Sequence, residues 1–401
     1  MIESGQTLDV DIADVAYRGV GIARHEGFVI LIPGALPGER ARVEITRRRK
    51  RHGEARLVEI LSPSPHRVEP ACALAGTCPG CTYQHADYAE ELRLKQAQLV
   101  SFLTRQAGVD PTVIAPPIGS PSSLGYRNKV IMHGATGPDG GAVLGYVGAD
   151  NATVLDVPNC PLAMPALQVL LARLRADGAF MADARTQRSV TLRATATDGP
   201  RNWSGKPSAT APLTEQTPIG PLAVPRGAFF QVNPGAGALL IETVRAWLRE
   251  LQPQAFVDLF CGVGVFALAA ALDGVRTVRG ADSDADAIDA ARQNAKTLSA
   301  SALFACASAA ESVRPALQGL DPAQTVLLVD PPRTGLSADL VADVAAAAPA
   351  HLLYVSCAAD TLTRDLVPLA TAGYRVRRAQ LVDMFPRTPY FESVVLLRKE
   401  G

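Results

Sequence analysis

The sequence predicts an α/β chain in three parts: a small N-terminal β-barrel over residues 1–61, a central α+β domain over 62–225, and a Rossmann-like domain with a mostly parallel sheet over 226–401. Three observations predict it. Short strands separated by Gly27, Pro33-Gly34 and Pro37-Gly38 crowd the first part of the chain. From Phe229 onward apolar strands alternate with helical stretches, the sign of a parallel sheet covered by helices. A glycine turn, Cys261-Gly262-Val263-Gly264-Val265-Phe266-Ala267, follows the apolar strand Ala255 to Phe260, where the backbone of such folds approaches a ligand.

Composition narrows the class. Thirty-nine basic and 39 acidic residues cancel, so any affinity for a polyanion must come from local patches. Met1 to Val10 carries Glu3 and Asp9 and lacks a leader pattern, and the longest apolar run, Phe256 to Leu272, is broken by Asp258 and two glycines. A soluble cytoplasmic protein is expected, with no role for a membrane. In a reducing compartment, seven cysteines point to metal binding or catalysis ahead of disulfides.

Five strands are expected in the barrel: Val10 to Val15, Gly19 to Ala23, Phe28 to Ile32, Ala41 to Ile45 and Ala55 to Ile60. Closing them removes exposed edges. The run Arg47-Arg48-Arg49-Lys50-Arg51 between the last two, flanked by Arg40, Arg42 and Arg56, reads either as a solvated loop or as a footprint for a phosphate backbone. Gly19-Val20-Gly21-Ile22-Ala23 and Pro33-Gly34-Ala35-Leu36-Pro37-Gly38-Glu39 resemble a TRAM domain, the RNA-binding barrel of several RNA-modifying enzymes.

Beyond Pro63 and Pro65, Cys72, Cys78 and Cys81 have the spacing Cys-x5-Cys-x2-Cys, with Cys160 as the best candidate for a fourth ligand. Four thiolates suit zinc or an iron-sulfur cluster, and the spacing, one close pair plus two lone cysteines, leans toward the cluster. Ala89 to Gln106 has helical spacing, with Leu92, Leu99, Phe102 and Leu103 apolar, and a helix over 86–110 is placed to pack on the catalytic domain. Strands return over Leu124 to Val157, where Tyr126-Arg127-Asn128-Lys129 reads as the start of a strand or as an RNA contact. Thr197 to Pro225, rich in Pro, Gly, Ser and Thr, reads as loops and a linker.

In the last domain Asp282, at the end of a strand, is placed to accept hydrogen bonds from ribose hydroxyls. Cys261 and Cys306 read as buried small residues. The strand Val326 to Val329 ends in Asp330-Pro331-Pro332-Arg333, a rigid turn similar to one with which methyltransferases hold a nitrogenous base, although amine methylation usually places an aromatic where Arg333 stands. The next strand, Leu352 to Ser356, ends in Cys357, with Asp360 or Thr361 as the expected helix cap. A thiol at a helix N-terminus favours the thiolate, which is the nucleophilic form.

Together, Phe229-Phe230-Gln231-Val232-Asn233, Asp258-Leu259-Phe260-Cys261-Gly262, Asp330-Pro331-Pro332-Arg333, Ser356-Cys357 with Thr361 and Arg364-Asp365, and Asp383-Met384-Phe385-Pro386 with Glu392 resemble the RNA 5-methyluridine methyltransferase family, over nearly the whole chain. The resemblance is to its TRAM-bearing, cluster-bearing branch and is closer to the 23S ribosomal RNA enzymes than to those acting on the T-loop of tRNA. It implies an RNA substrate rather than DNA, S-adenosylmethionine as methyl donor, and a 4Fe-4S cluster on Cys72, Cys78, Cys81 and Cys160. It further implies Cys357 as nucleophile, Glu392 as base, and a cofactor site lined by Gln231, Phe260, Gly262, Asp282 and Asp330. Phe229, Gln231 and Asp330 are the expected uracil contacts.

The residue types suit that chemistry. Uracil C5 is a poor nucleophile, and thiolate addition at C6 turns the ring into an enolate whose C5 can attack a sulfonium methyl. Glu392 stands alone in the apolar run Phe391 to Leu397, where alternation favours a solvent-facing side chain and partial burial would raise its pKa instead. The chain departs from the family where Arg387 and Tyr390 replace histidines, where Ala358 replaces Asn, and where Ser308 replaces an acid near the cofactor adenine. A non-catalytic RNA-binding factor and a nicotinamide-dependent oxidoreductase are the competing classes. The intact Cys357 and Glu392 oppose the first, while the Asp-Pro-Pro turn, the barrel and the four cysteines are unexplained by the second.

Overall fold

A computed structural model of the chain describes residues 2–186, 189–205, 207 and 211–400. At its N-terminal end β1 (Thr7–Ala16), β2 (Val20–His25), β3 (Phe28–Pro33), β4 (Arg40–Arg48) and β5 (His52–Ser62) close into a barrel in the order β1-β2-β3-β5-β4. Alternation drives it: Ala41, Val43 and Ile45 of β4 are fully buried with Ile30 and Ile32 of β3. The parallel pairing of β3 with β5 completes the ring. Arg47 and Arg48, expected in a loop, continue β4 opposite Glu54 and Gly53, because long cationic side chains cost little on the solvent face of a ladder.

The next segment carries three of the cysteines through turns to α1 (Tyr88–Ala107), capped by Asp87 and ended by Gly108 at φ 65°. One face of α1 packs Leu99 and Leu103 into the same core as Leu362 and Leu366 of the catalytic domain. That face also buries charge completely: the Lys95 ammonium lies 2.7 Å from Glu91 and 2.9 Å from Asp383. The apolar spacing carries no sign of this buried charge.

The central sheet contains β6 (Lys129–Thr136), β7 (Ala142–Val147), β8 (Val154–Asp156), β9 (Val190–Thr195) and β10 (Gly199–Ser204), in the order β10-β9-β6-β7-β8. It is backed by α2 (Pro165–Ala176), through Leu167, Leu170 and Leu171, and by α3 (Gly178–Ala184). β11 (Leu213–Thr217) and β12 (Gly220–Val224) form a hairpin. The stretch read as a linker is thus largely β-structure. Its Pro, Gly and Thr residues make tight turns between short strands, and Leu213, Leu222 and Val224 anchor the hairpin; residues 206 and 208–210 lie outside the described residues.

The C-terminal domain contains α4 (Pro234–Leu251), β13 (Ala255–Leu259), α5 (Val265–Leu272), β14 (Thr277–Asp282), α6 (Ala285–Thr297), β15 (Leu303–Cys306) and α7 (Ala309–Leu317). It ends with β16 (Thr325–Val329), α8 (Ala338–Ala347), β17 (His351–Ser356), α9 (Ala359–Thr371), β18 (Tyr374–Val382) and β19 (Glu392–Lys399). Its sheet has the order β15-β14-β13-β16-β17-β19-β18, and β19 alone runs against its neighbours. Helices cover both faces, so β13, β16 and nearly all of β17 are buried, as their apolar runs require. The order switches between β13 and β16, which opens a crevice at their C-terminal ends. No helix among the described residues is long and apolar enough to cross a membrane.

Candidate active site

The crevice begins where β13 gives way to α5. Phe260, Gly262 and Gly264 take left-handed backbone, with φ 78°, 52° and 89°, and a Cβ on Gly264 would lie 2.9 Å from the Phe304 ring. The Asp282 carboxylate accepts the Gly262 N–H at 2.9 Å and the Asp284 N–H at 2.9 Å. It therefore braces the glycine turn, and each oxygen keeps a further lone pair for a ligand hydroxyl. Asp282 stands beside the crevice, while Phe229, Gln231, Phe260, Gly262 and Asp330 line it.

Gln231 Oε1 is buried there without a hydrogen-bond partner. A buried orphan acceptor costs stability unless a ligand satisfies it, so the crevice fits a polar cofactor with donors to offer. Asp258 lies fully buried at the base, where burial and the charges of Asp330 and Asp282 push its pKa up. Ser308, where an acid was expected, caps α7 in a reciprocal pair with Glu311. Cys261 is buried as expected, but Cys306 is exposed, because it ends the edge strand β15.

β17 and β19 pair antiparallel with Ser356 opposite Ser393, and the Ser393 hydroxyl donates to the Ser356 carbonyl at 3.1 Å. Cys357 and Glu392 each adjoin that last pair, and the Glu392 charge acts on the Cys357 thiol. Glu392 is buried, not solvent-facing, and its Oε2 has no partner. Burial, then the charge of Asp330, holds its pKa well above the usual carboxylate range, with Arg333 opposing. Burial likewise pushes Asp330 up to about 7.

The expected cap is corrected: Ala358, not Asp360 or Thr361, is the cap of α9, with no side-chain bond to the first turn. The Cys357 thiol is pushed up to about 11, first by burial and then by Glu392, while Arg333 pulls the other way.

Arg333 was noted in the sequence only as an exception. Its guanidinium stacks 3.9 Å from the centroid of the Tyr390 ring. The turn that presents it is pinned from behind: buried Asp365 accepts the Leu336 N–H and the Tyr354 hydroxyl, each at 2.7 Å, and Arg364 donates to the Thr334 carbonyl at 2.8 Å. Arg387, the other replaced histidine, clamps α1 from a left-handed backbone, φ 67°, by donating its N–H to Glu91 at 2.7 Å and its guanidinium to the Ala86 carbonyl at 2.6 Å. Such roles need three-dimensional neighbours, so spacing carried no signal for them.

A second cavity, about 550 Å³, has Cys72, Cys78, Cys81 and Cys160 on its wall together with Phe229, Arg333 and Tyr390. Phe229 is 72% exposed and borders both cavities. Burial pushes the Cys81 thiol up to about 12 and raises Cys78 as well. Among the described residues no three His, Cys, Asp or Glu side chains are grouped closely enough to hold one metal ion. The structure thus brings the four thiols to one cavity without closing them around an ion. The stretch from Tyr126 to Lys129 divides: Tyr126 donates to the Pro386 carbonyl and Asn128 to Glu215, both buried, whereas Arg127 and Lys129 line the cavity.

The family model described as tRNA (Uracil-5-)-methyltransferase matches residues 223–400, and that of the TRAM domain matches residues 3–58. The chain is 31% identical to the 23S rRNA (uracil(1939)-C(5))-methyltransferase RlmD of Chromohalobacter salexigens, over 98% of this chain and 89% of the relative. It is 29% identical to RlmD of Pectobacterium atrosepticum, over 98% and 93%. Among solved structures, the tRNA (uracil-54, C5)-methyltransferase of Pyrococcus abyssi in complex with S-adenosyl-L-homocysteine superposes with a TM-score of 0.75 at 25% identity, over 97% of this chain and 99% of that one. With the closed barrel, the switch-point crevice and the β17–β19 pairing in the same molecule, the chain belongs to the uracil-5 RNA methyltransferase family, S-adenosylmethionine-dependent enzymes, and carries a TRAM domain.

Proposed function

We propose that the protein methylates C5 of a uridine in 23S ribosomal RNA, with Cys357 as nucleophile and Glu392 as base. The observation that supports this reading is that Cys357 and Glu392 both adjoin the last pair of the β17–β19 ladder, with the charges of Asp330 and Arg333 acting on both. The names of the relatives that match over most of their length favour ribosomal RNA.

When bound, S-adenosylmethionine supplies an electrophilic sulfonium methyl group; Gln231, Phe260, Gly262, Asp282 and Asp330 would hold it. Unstacking the target base costs roughly a few kcal/mol, and Phe229 offers an exposed ring that offsets part of this by stacking. The Cys357 thiol gives up its proton to solvent, the thiolate forms a bond to C6, and the C5=C6 electron pair moves onto the ring as an enolate stabilised beside Arg333. C5 then takes the methyl group as the bond from methyl to the sulfonium sulfur breaks and leaves a neutral thioether. The Glu392 carboxylate removes the proton from C5, the double bond re-forms and the Cys357 thiolate is expelled. Burial of Glu392 suits it to the last step, since a raised pKa makes a stronger base.

Cys72, Cys78, Cys81 and Cys160 would hold a 4Fe-4S cluster, which spreads iron over several corners and is reached by thiolates standing further apart than ligands of a single ion. The reaction has no redox step, so its role there is to brace the wall of the RNA cavity.

The test is methyl transfer from labelled S-adenosylmethionine to unmodified 23S rRNA and unmodified tRNA, with wild type and Cys357→Ala. Label in 23S rRNA as 5-methyluridine, lost in the variant, supports the proposal. Label confined to tRNA overturns the substrate, and label retained by Cys357→Ala overturns the nucleophile. No label in either RNA favours a non-catalytic RNA-binding factor.

A further inference from the structure

The turn between β1 and β2 leaves the barrel and reaches the centre of the catalytic domain. Its Tyr17 ring packs edge-on against Phe102 of α1, at 4.8 Å between centroids, and against Phe391, at 6.4 Å. Phe391 precedes Glu392. Arg18 lies 5.6 Å over the Tyr17 ring and 3.9 Å from Asp360, in the first turn of α9 just after Cys357. One aromatic side chain from the barrel therefore abuts both segments that deliver the reacting groups.

The turn is built to hold that position. Arg18 takes left-handed backbone, φ 72°, a strain that persists only where surroundings enforce it, and Gly19 follows at φ 84°, which glycine adopts freely. A Cβ on Gly19 would lie 2.9 Å from the Thr82 hydroxyl and 3.1 Å from the Tyr83 ring, so nothing larger fits. Gln98 of α1 donates to the Ala16 carbonyl at 3.3 Å and to the Tyr83 hydroxyl at 2.8 Å. The N–H groups of Thr82 and Tyr83 in turn donate to the Arg387 carbonyl, at 2.9 and 3.1 Å, in the loop that leads to Glu392.

We propose that Tyr17 is a positioning residue of the methyl-transfer site, setting Cys357 against Glu392 and keeping water from the thiol, so that the barrel completes the catalytic centre as well as touching RNA. The proposal rests on Cys357 being the nucleophile. The Tyr17 phenol is itself pushed up to about 12, by burial first and by the charge of Asp360 second, with the Ala359 backbone N–H opposing, as a ring wedged beside the first turn of α9 should be. Glu392, Arg333 and Asp330 face the thiol from the other elements.

The test compares full-length wild type, Tyr17→Phe, Tyr17→Leu and Tyr17→Ala in two assays: methyl transfer to 23S rRNA, and alkylation of Cys357 by iodoacetamide, read by peptide mass spectrometry across pH. The second needs no RNA and no turnover, so a failed substrate assignment leaves it intact. Expected for Tyr17→Leu and Tyr17→Ala is a kcat lower by about tenfold, as for a misplacement well under 1 Å, with KM little changed. Alkylation should be several-fold faster, with its midpoint moved to lower pH as water reaches the thiol. Tyr17→Phe should restore both. A raised KM with unchanged alkylation would make Tyr17 only an RNA contact and overturn the proposal, as would wild-type kcat and alkylation in either truncated variant. If Tyr17→Ala fails to fold, as judged by circular dichroism, Tyr17→Leu, which keeps most of the apolar volume, decides.

Discussion

Arg333 rests on the ring of Tyr390, 3.9 Å from its centroid, and so holds a cation beside two acidic groups, the half-buried Cys357 and the buried Glu392, whose charged forms it favours. Removing the cation raises both pKa values further. Arg333→Ala should therefore move the rising limb of the kcat/KM profile to higher pH and lose about tenfold at neutral pH, the equivalent of one pKa unit. Tyr390→Leu, which loosens the guanidinium without deleting it, should shift the limb less. A profile that keeps its midpoint in Arg333→Ala would show that the guanidinium does not tune the thiol.

Glu392→Gln separates the steps of the proposed reaction. Addition of Cys357 and methyl transfer need no base at C5, whereas expulsion of the thiolate does. The variant should accumulate a covalent RNA–protein adduct that survives denaturing electrophoresis and carries the labelled methyl group, with turnover reduced by at least about a hundredfold. Free 5-methylated RNA released at the wild-type rate would exclude Glu392 as the base.

Lys95 pairs with both Glu91 and Asp383 where none of the three is exposed, and Arg387 also reaches Glu91 at 3.5 Å. Lys95→Met leaves Asp383 without this cation and Glu91 with Arg387 alone, and should destabilise the fold by about 3–5 kcal/mol, read as a lower midpoint in urea. The double variant Lys95→Met with Glu91→Gln should recover part of the loss. A Lys95→Met midpoint equal to wild type would show that the carboxylates find other partners.

Loss of a single thiol should reveal the cluster. Protein purified without oxygen is expected to be brown and to contain iron and acid-labile sulfide in equal amounts, and Cys81→Ser should lose both together with thermal stability. Colourless wild-type protein containing zinc would replace the cluster with a structural zinc ion.

Gln231→Leu removes the orphaned acceptor in the crevice while keeping its bulk. It should weaken S-adenosylmethionine by about tenfold, near the net value of one buried hydrogen bond. Calorimetry checks this, and unchanged affinity would place the cofactor away from Gln231.

Where chemistry and local pattern coincide in sequence, the structure is readable in advance. Ile30 and Ile32 alternate and line the barrel, and the apolar run before Asp330 is a buried parallel strand. What sequence hides is pairing at a distance. Glu392 looked solvent-facing because alternation assumes one wet face, yet β19 lies between two strands in a sheet covered on both sides. The burial of Lys95 has no local sign because one of its two carboxylate partners, Asp383, sits 288 residues away. The helix start after Cys357 is visible locally, whereas the burial that raises its thiol and the charge of Glu392 that adds to it are not.

The reversed strand also sets a timetable for the newborn enzyme. β17 and β18 both precede β19 in the chain, yet β19 lies between them. Their edges cannot close until the last strand slides into the gap, and such late, non-local pairing is slow. Glu392, which adjoins the last β17–β19 pair as Cys357 does, arrives on that same strand, so on the proposed mechanism a molecule in which β19 has not docked holds the thiol without its base.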